Sequence, residues 1–114
     1  MGDAGVIAQR YILVAFGNSQ TAELQAWQPD VSRTVKVPFA WKGDTWYRMK
    51  LRVDSLPDGK TRARAKIWPA AETEPAAWLL ERVDPTGHRQ GSPGLYADAP
   101  VEVFFDDVKV TANQ

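Results

Sequence analysis

The chain has 114 residues, with 14 basic and 14 acidic side chains and therefore no formal net charge. Without an excess of positive charge, the chain as a whole has no field that would attract nucleic acid or an anionic membrane. It contains no cysteine, which excludes disulfides, thiolate zinc sites and a cysteine nucleophile. No apolar run approaches the ~20 residues that a transmembrane helix needs, so we expect no membrane insertion, and no signal peptide is visible. The length predicts one domain over residues 1–114 with a modest core.

The first third of the chain predicts three strands. Residues 5–16 are rich in β-forming residues and predict one long strand. Residues 22–28 predict a second strand and residues 34–41 a third. Pro38 has no amide donor, so the third strand is expected at a sheet edge or with a bulge. The alternate apolar residues of this strand, which predict its core face, are Val35, Val37, Phe39 and Trp41.

The clearest period of two lies in residues 45–54 and continues, after a turn containing proline and glycine, in residues 62–67. In both segments apolar and basic side chains alternate. The pattern predicts an antiparallel hairpin with one face in the core and one in water. The basic side chains of the wet face are Arg48, Lys50, Arg52, Arg62, Arg64 and Lys66.

The rest of the chain predicts three further strands. Residues 69–76 predict a loop, and residues 77–83 a short strand that an Asp-Pro pair ends. After a long loop, residues 94–98 and 101–111 predict the last two strands. Seven to eight short strands separated by turns indicate an all-β fold, an antiparallel β-sandwich of the jelly-roll type.

Charge is distributed unevenly along the chain. Residues 31–68 contain ten basic and three acidic side chains, whereas residues 69–114 contain three basic and eight acidic ones. Two interpretations remain open. Basic and acidic strands lie side by side and pair across the sheet, or the basic face binds an anionic polymer.

The tryptophans suggest a carbohydrate-binding surface. Trp68 lies on the charged face of its predicted strand and Trp27 on the polar face of its own. Exposed aromatic rings stack on the apolar faces of sugars, so these two are the candidates for ligand binding. Arg62, Arg64 and Lys66 would assist them. The alternative is that the tryptophans fill a core that is short of leucine and isoleucine.

Residues that could carry catalysis or bind metal are few. His88 is the one histidine of the sequence, and it stands in a loop. Asp106 is predicted on the apolar face of the last strand, where a carboxylate is costly unless it is paired or bound to metal. Calcium is the metal that it suits, and the alternative is a carboxylate bound by backbone amides. We expect no other cofactor. Two carboxylates flanking a glycosidic bond would have to come from Glu72, Glu74, Glu81 and Asp98.

Three segments resemble a known family. They are TWYRMKLRVD, AKIWP followed by EPAAW, and GSPGLYADAPVEVFFDDVKV, which together lie within residues 40–111. They resemble the C-terminal half of a concanavalin A-like (laminin-G-like) lectin or glucanase β-sandwich. That domain occurs in bacterial secreted proteins with pyrroloquinoline-quinone-type repeats and in proteins of the 3-keto-disaccharide hydrolase type. The resemblance implies an extracellular or periplasmic location. No catalytic residue of the family matches this chain.

These observations predict a non-catalytic accessory module, not an enzyme, with carbohydrate as its ligand. Two other functions stay open. The first is a structural or interaction domain that packs on a partner domain or on a second copy. The second, less favoured, is a glycoside-acting hydrolase. The family domain is longer than this chain, so a truncated or half domain is a further expectation.

Overall fold

The structure, a computed structural model, describes residues 2–26, 34–85, 91–100 and 102–112. These residues form eight strands and no helix, as the predicted all-β class requires. Two antiparallel sheets result, one of five strands in the order β4-β3-β2-β1-β8 and one of three strands in the order β5-β6-β7. The strands are β1 (Asp3–Ala8), β2 (Tyr11–Phe16), β3 (Thr21–Ala26), β4 (Val35–Pro38), β5 (Tyr47–Ser55), β6 (Thr61–Pro69), β7 (Leu80–Asp84) and β8 (Gly94–Asp98).

The predicted long strand over residues 5–16 is wrong, because this segment turns back on itself as the β1–β2 hairpin. Ala8 pairs with Tyr11, so the connecting turn has two residues. Both of them, Gln9 and Arg10, have positive φ angles of 47° and 66°. Such a turn matches the twist of the two strands and is usually marked by Asn-Gly or Asp-Gly. Gln-Arg is not a typical turn pair, so the sequence alone does not predict a hairpin at this position.

The predicted strand over residues 101–111 is also not formed. Residues 102–112, which the structure describes, are in no strand. Asp107 has a φ of 53°, which interrupts the extended backbone. Alternating apolar residues indicate that a segment can form a strand. They do not determine whether the fold offers it a neighbouring strand to pair with.

The predicted hairpin of basic and apolar residues is confirmed as β5 and β6, which pair over nine positions from Tyr47↔Pro69 to Ser55↔Thr61. The prediction that Pro38 marks an edge is confirmed too, since β4 is the outermost strand of the five-stranded sheet. At this position the missing amide of proline breaks no ladder hydrogen bond in the middle of the sheet.

The core lies between the inner faces of the two sheets. Its buried part consists of small and aliphatic side chains together with Tyr11. The predicted apolar faces of residues 34–41 and 45–54 pack against it. The buried members of the core are Tyr11, Leu13, Ala15, Ala22, Leu24, Ala26, Val53, Ala63, Ala65, Ile67 and Leu80.

Candidate functional site

The outer face of the three-stranded sheet, away from the core, collects the basic side chains of β5 and β6. We call it the basic face. Strand register places Lys50 opposite Lys66 and Arg52 opposite Arg64. Like charges opposite one another are destabilising. The stability of this face therefore depends on carboxylates that lie among the facing cations and offset their repulsion. Its basic members are Arg48, Lys50, Arg52, Arg62, Arg64 and Lys66.

Asp54 is the first of these carboxylates. It accepts hydrogen bonds from Arg52 Nε at 3.1 Å, Arg64 Nη2 at 3.2 Å and Arg62 Nη2 at 3.5 Å. Burial raises the pKa of Asp54, but the hydrogen bonds and charge of Arg52, together with the bonds from the other two arginines, outweigh burial and hold the pKa below 3.8. Asp54 thus offsets one of the three positive charges at this end of the basic face.

Glu74, which lies in a loop, offsets one of the two lysine charges at the other end of the basic face. Residues 70–79, the covering loop, connect β6 to β7 and place the Glu74 carboxylate 2.7 Å from Lys66 Nζ and 3.1 Å from Lys50 Nζ. Hydrogen bonds from Lys66 and Lys50 lower the pKa of Glu74 below 4.5. This direction is the reverse of what a glycosidase general acid requires. Lys66 Nζ also donates to the carbonyl oxygen of Pro75 at 2.7 Å.

Trp78 fixes the second half of the covering loop on the same cations. Its ring centroid lies 4.6 Å from Lys66 Nζ, 4.8 Å from Arg64 Cζ and 5.8 Å from Lys50 Nζ. Each such cation–π contact contributes about 0.5–2 kcal/mol, according to how far it is removed from water. The loop is therefore held on the basic face by the Glu74 carboxylate, the Pro75 carbonyl oxygen and the Trp78 ring.

The structure brings together three of the predicted ligand-binding residues, Arg62, Arg64 and Lys66, on one face of β6. Lys66 is buried, and so is Trp68, whose exposed fraction is 7%. The Trp68 ring is therefore not open for a sugar to stack on. Trp68 matches the alternative interpretation, in which the tryptophans are buried. Trp27 lies outside the described residues.

The accessible part of the basic face lies on β5 instead. Side chains of Lys50 and Arg52 are 48% and 42% exposed, and Arg48 is exposed as well. Trp46, 56% exposed, directly precedes this strand, and its carbonyl accepts a hydrogen bond from Ala70 N that continues the β5–β6 ladder. Strand alternation puts it in the same row as the three cations.

Sequence reasoning missed Trp46 and Trp78 as functional candidates. For Trp46 the signal was present, since it stands two residues before Arg48 in the alternating pattern. For Trp78 no local signal existed. Its position depends on the path of the covering loop over the sheet, and a loop without periodicity does not encode that path.

Asp106 lies in the exposed C-terminal segment, and its Oδ1 accepts a hydrogen bond from the amide of Asp107 at 2.8 Å. Within the residues that the structure describes, no three His, Cys, Asp or Glu side chains come together to hold a metal ion. Calcium binding by Asp106 stays a prediction. His88 lies outside the described residues.

No protein-family model, curated protein or solved structure matches the chain. Among the described residues there is also no helix long and apolar enough to cross a membrane.

Proposed function

We propose that the chain is a non-catalytic accessory domain that binds acidic carbohydrate along β5, through Trp46, Arg48, Lys50 and Arg52. One observation carries the proposal. An exposed tryptophan stands at the head of a row of exposed cations, while the covering loop closes the adjacent part of the face.

The row has the chemistry that an acidic sugar chain needs. Alternate residues of a strand are about 6.8 Å apart, so the cations form a regular line. Guanidinium groups bind carboxylate or sulfate in a bidentate manner, and an aromatic ring stacks on the apolar face of a sugar. The covering loop already places one carboxylate, Glu74, on Lys50 and Lys66. This contact supports the view that the face accepts anions.

The resemblance of residues 40–111 to concanavalin A-like domains supports a carbohydrate ligand over other polyanions. With it we propose the finer fold description, a jelly-roll sandwich, and a location outside the cytoplasm, in the periplasm or the extracellular space. The two antiparallel sheets with a core between them support the sandwich part of this description.

The test is a titration of the chain with heparin, with polygalacturonate and with a neutral glucan, each at about 50 and 200 mM salt. We expect binding of the two acidic polymers, weakened by the higher salt. Trp46→Ala and Arg48→Ala should both weaken it. Lys36→Ala, which removes an exposed cation from the other sheet, is the matched control and should not. Equal binding of the neutral glucan, or an equal loss with Lys36→Ala, would contradict the proposal.

A second function, an interaction domain, is favoured by the C-terminal segment. There the apolar side chains Phe104, Val108 and Val110 are 69%, 62% and 65% exposed. Exposed apolar residues clustered within one short segment mark a surface that a partner covers.

A further inference from the structure

The covering loop fills one place on the basic face with a carboxylate of its own. A single oxygen, Glu74 Oε2, lies 2.7 Å from Lys66 Nζ and 3.1 Å from Lys50 Nζ. Strand register places these two lysines directly opposite each other on β5 and β6. The two ammonium groups therefore converge on one anionic oxygen, and hydrogen bonds between charged groups of this kind are the strong ones.

Lys66 needs an anion at this place. Its side chain is only 6% exposed, and the ring centroids of Trp78 and Trp68 lie 4.6 Å and 5.9 Å from its Nζ. A buried charge that loses its charged partner is strongly destabilising, and the carbonyl oxygen of Pro75 carries no full charge that could replace the carboxylate. A neutral group is thus a poor substitute for Glu74, whereas a second carboxylate keeps Lys66 paired.

The Glu74 side chain is free to leave the two lysines. It is 42% exposed, and residues 71–77 of the covering loop are all exposed. The loop has two other attachments to the basic face, the Pro75 carbonyl oxygen and the Trp78 ring. Rotation of the Glu74 side chain into water therefore opens the two ammonium groups without releasing the rest of the loop.

The lysine pair adjoins the row of exposed cations on β5. Lys50 belongs to both, and Lys66 lies on the next strand, about 4.7–4.9 Å away across the sheet. A sugar chain that follows β5 and has a carboxylate on each ring would bring one of these carboxylates beside Lys50 and Lys66. Uronic acids are the sugars with such a carboxylate.

We propose that Lys50 and Lys66 form a subsite for the carboxylate of a uronic acid, and that Glu74 fills this subsite until the ligand replaces it. On binding, the Glu74 carboxylate turns into water and the charge of Lys66 stays paired. This inference rests on the proposed function and names the acidic sugar that the face selects. Glu74 is an internal competitor, so its charge lowers the affinity of the face for the ligand.

The first test is calorimetric titration of the native chain and its variants with a galacturonic acid oligomer. Glu74→Gln should lower the dissociation constant about fivefold or more, because the amide has no charge with which to compete. Glu72→Gln is the matched control, since it removes the same charge from an exposed position of the same loop. It should change the dissociation constant by less than about twofold, because solvent and salt screen an exposed charge. Equal gains in the two variants would overturn the proposal.

A double variant shows whether the gain comes from the subsite. Lys66→Met keeps an unbranched apolar stem but removes the ammonium group. Combined with Glu74→Gln, it should return the dissociation constant to that of the native chain or above it. A gain that persists without the Lys66 ammonium would be a general effect of charge and would also overturn the proposal.

The second test needs no variant that alters the buried lysine. In the native chain saturated with the oligomer, nuclear Overhauser effects should connect sugar ring protons with the ε-methylene protons of Lys66, as well as with Trp46 and Arg48. Effects confined to Trp46, Arg48 and Arg52 would overturn the subsite and leave the proposed function intact. Absence of binding by both the native chain and Glu74→Gln would overturn the proposed function and the subsite together.

Discussion

Tyr11 and Asp84 join the two sheets by a buried hydrogen bond of 2.6 Å from the phenol to the Asp84 carboxylate. Asp84 is 2% exposed, and its second oxygen accepts a hydrogen bond from Arg82 Nε at 3.1 Å. A buried carboxylate is tolerated only where its charge is paired and its oxygens are bonded, and both conditions hold here. This contact therefore fixes how the five-stranded sheet sits on the three-stranded one.

Tyr11→Phe should lower the free energy of unfolding by about 1.5–3 kcal/mol, because it removes a hydrogen bond to a charged and buried acceptor. Urea denaturation measures the change. Tyr47→Phe is the matched control, since the Tyr47 hydroxyl accepts only an exposed hydrogen bond from Lys42 N at 3.0 Å. It should cost less than about 1 kcal/mol. Equal losses for the two variants would show that the Tyr11–Asp84 contact does not stabilise the fold.

Gly5 marks a close approach between β1 and β2. A Cβ atom at Gly5 would lie 2.1 Å from the carbonyl oxygen of Leu13, which is backbone and cannot move aside. Gly5→Ala should therefore lower the free energy of unfolding by about 2–3 kcal/mol. A Cβ at Gly94, on the other neighbour of β1, meets Ile7 Cδ1 at an ordinary 3.5 Å, so Gly94→Ala should stay within about 0.5 kcal/mol of the native protein. Thermal denaturation of the two variants measures the difference between their stability losses. Equal losses would mean that β1 and β2 do not approach each other this closely at Gly5.

The turn between β1 and β2 carries avoidable backbone strain. Arg10 is exposed and has a φ of 66°, a conformation that costs a side chain about 1–2 kcal/mol and glycine almost nothing. Arg10→Gly should therefore raise the free energy of unfolding by roughly 0.5–1 kcal/mol, after the greater freedom of glycine in the unfolded chain is subtracted. Lys36→Gly, in an extended strand, should lower it. A loss in both variants would mean that the turn has a different conformation.

Acid should destabilise the fold through Asp54 and Glu74. Both carboxyl groups have pKa values lowered in the folded protein, so the unfolded chain takes up protons first as pH falls. Their contribution to stability is complete well above the ordinary values of 3.8 and 4.5 and is lost as pH falls through the lower folded values. The midpoint of urea denaturation should thus decrease below about pH 5. The double variant Asp54→Asn, Glu74→Gln should show a shallower decrease, and an unchanged slope would contradict the assignment.

The sequence pattern predicts those parts of the fold that local alternation determines. Residues 45–54 and 62–67 form the expected hairpin because each face has a uniform chemistry, and a shift of one residue would bury the arginines. The pattern fails where a turn has no typical residues, as at Gln9 and Arg10. It also fails where a segment can pair but finds no edge, as at residues 102–112.

The candidate site was predictable to a similar extent. The grouping of Arg62, Arg64 and Lys66 follows from alternation and is present in the structure. The position of Trp78 follows from the covering loop, whose course depends on the long-range ion pairs of Glu74 with Lys50 and Lys66. Contacts of this kind between distant segments leave no periodic trace in the sequence.

The most direct test of the account is to map the binding of an acidic oligosaccharide on the isotopically labelled chain by NMR. We predict that amide shifts change at residues 46–52 and at the indole N–H of Trp46, and that raising the salt concentration reverses these changes. Shift changes confined to the five-stranded sheet, or none with saturating ligand, would contradict the assignment of the basic face as a carbohydrate-binding surface.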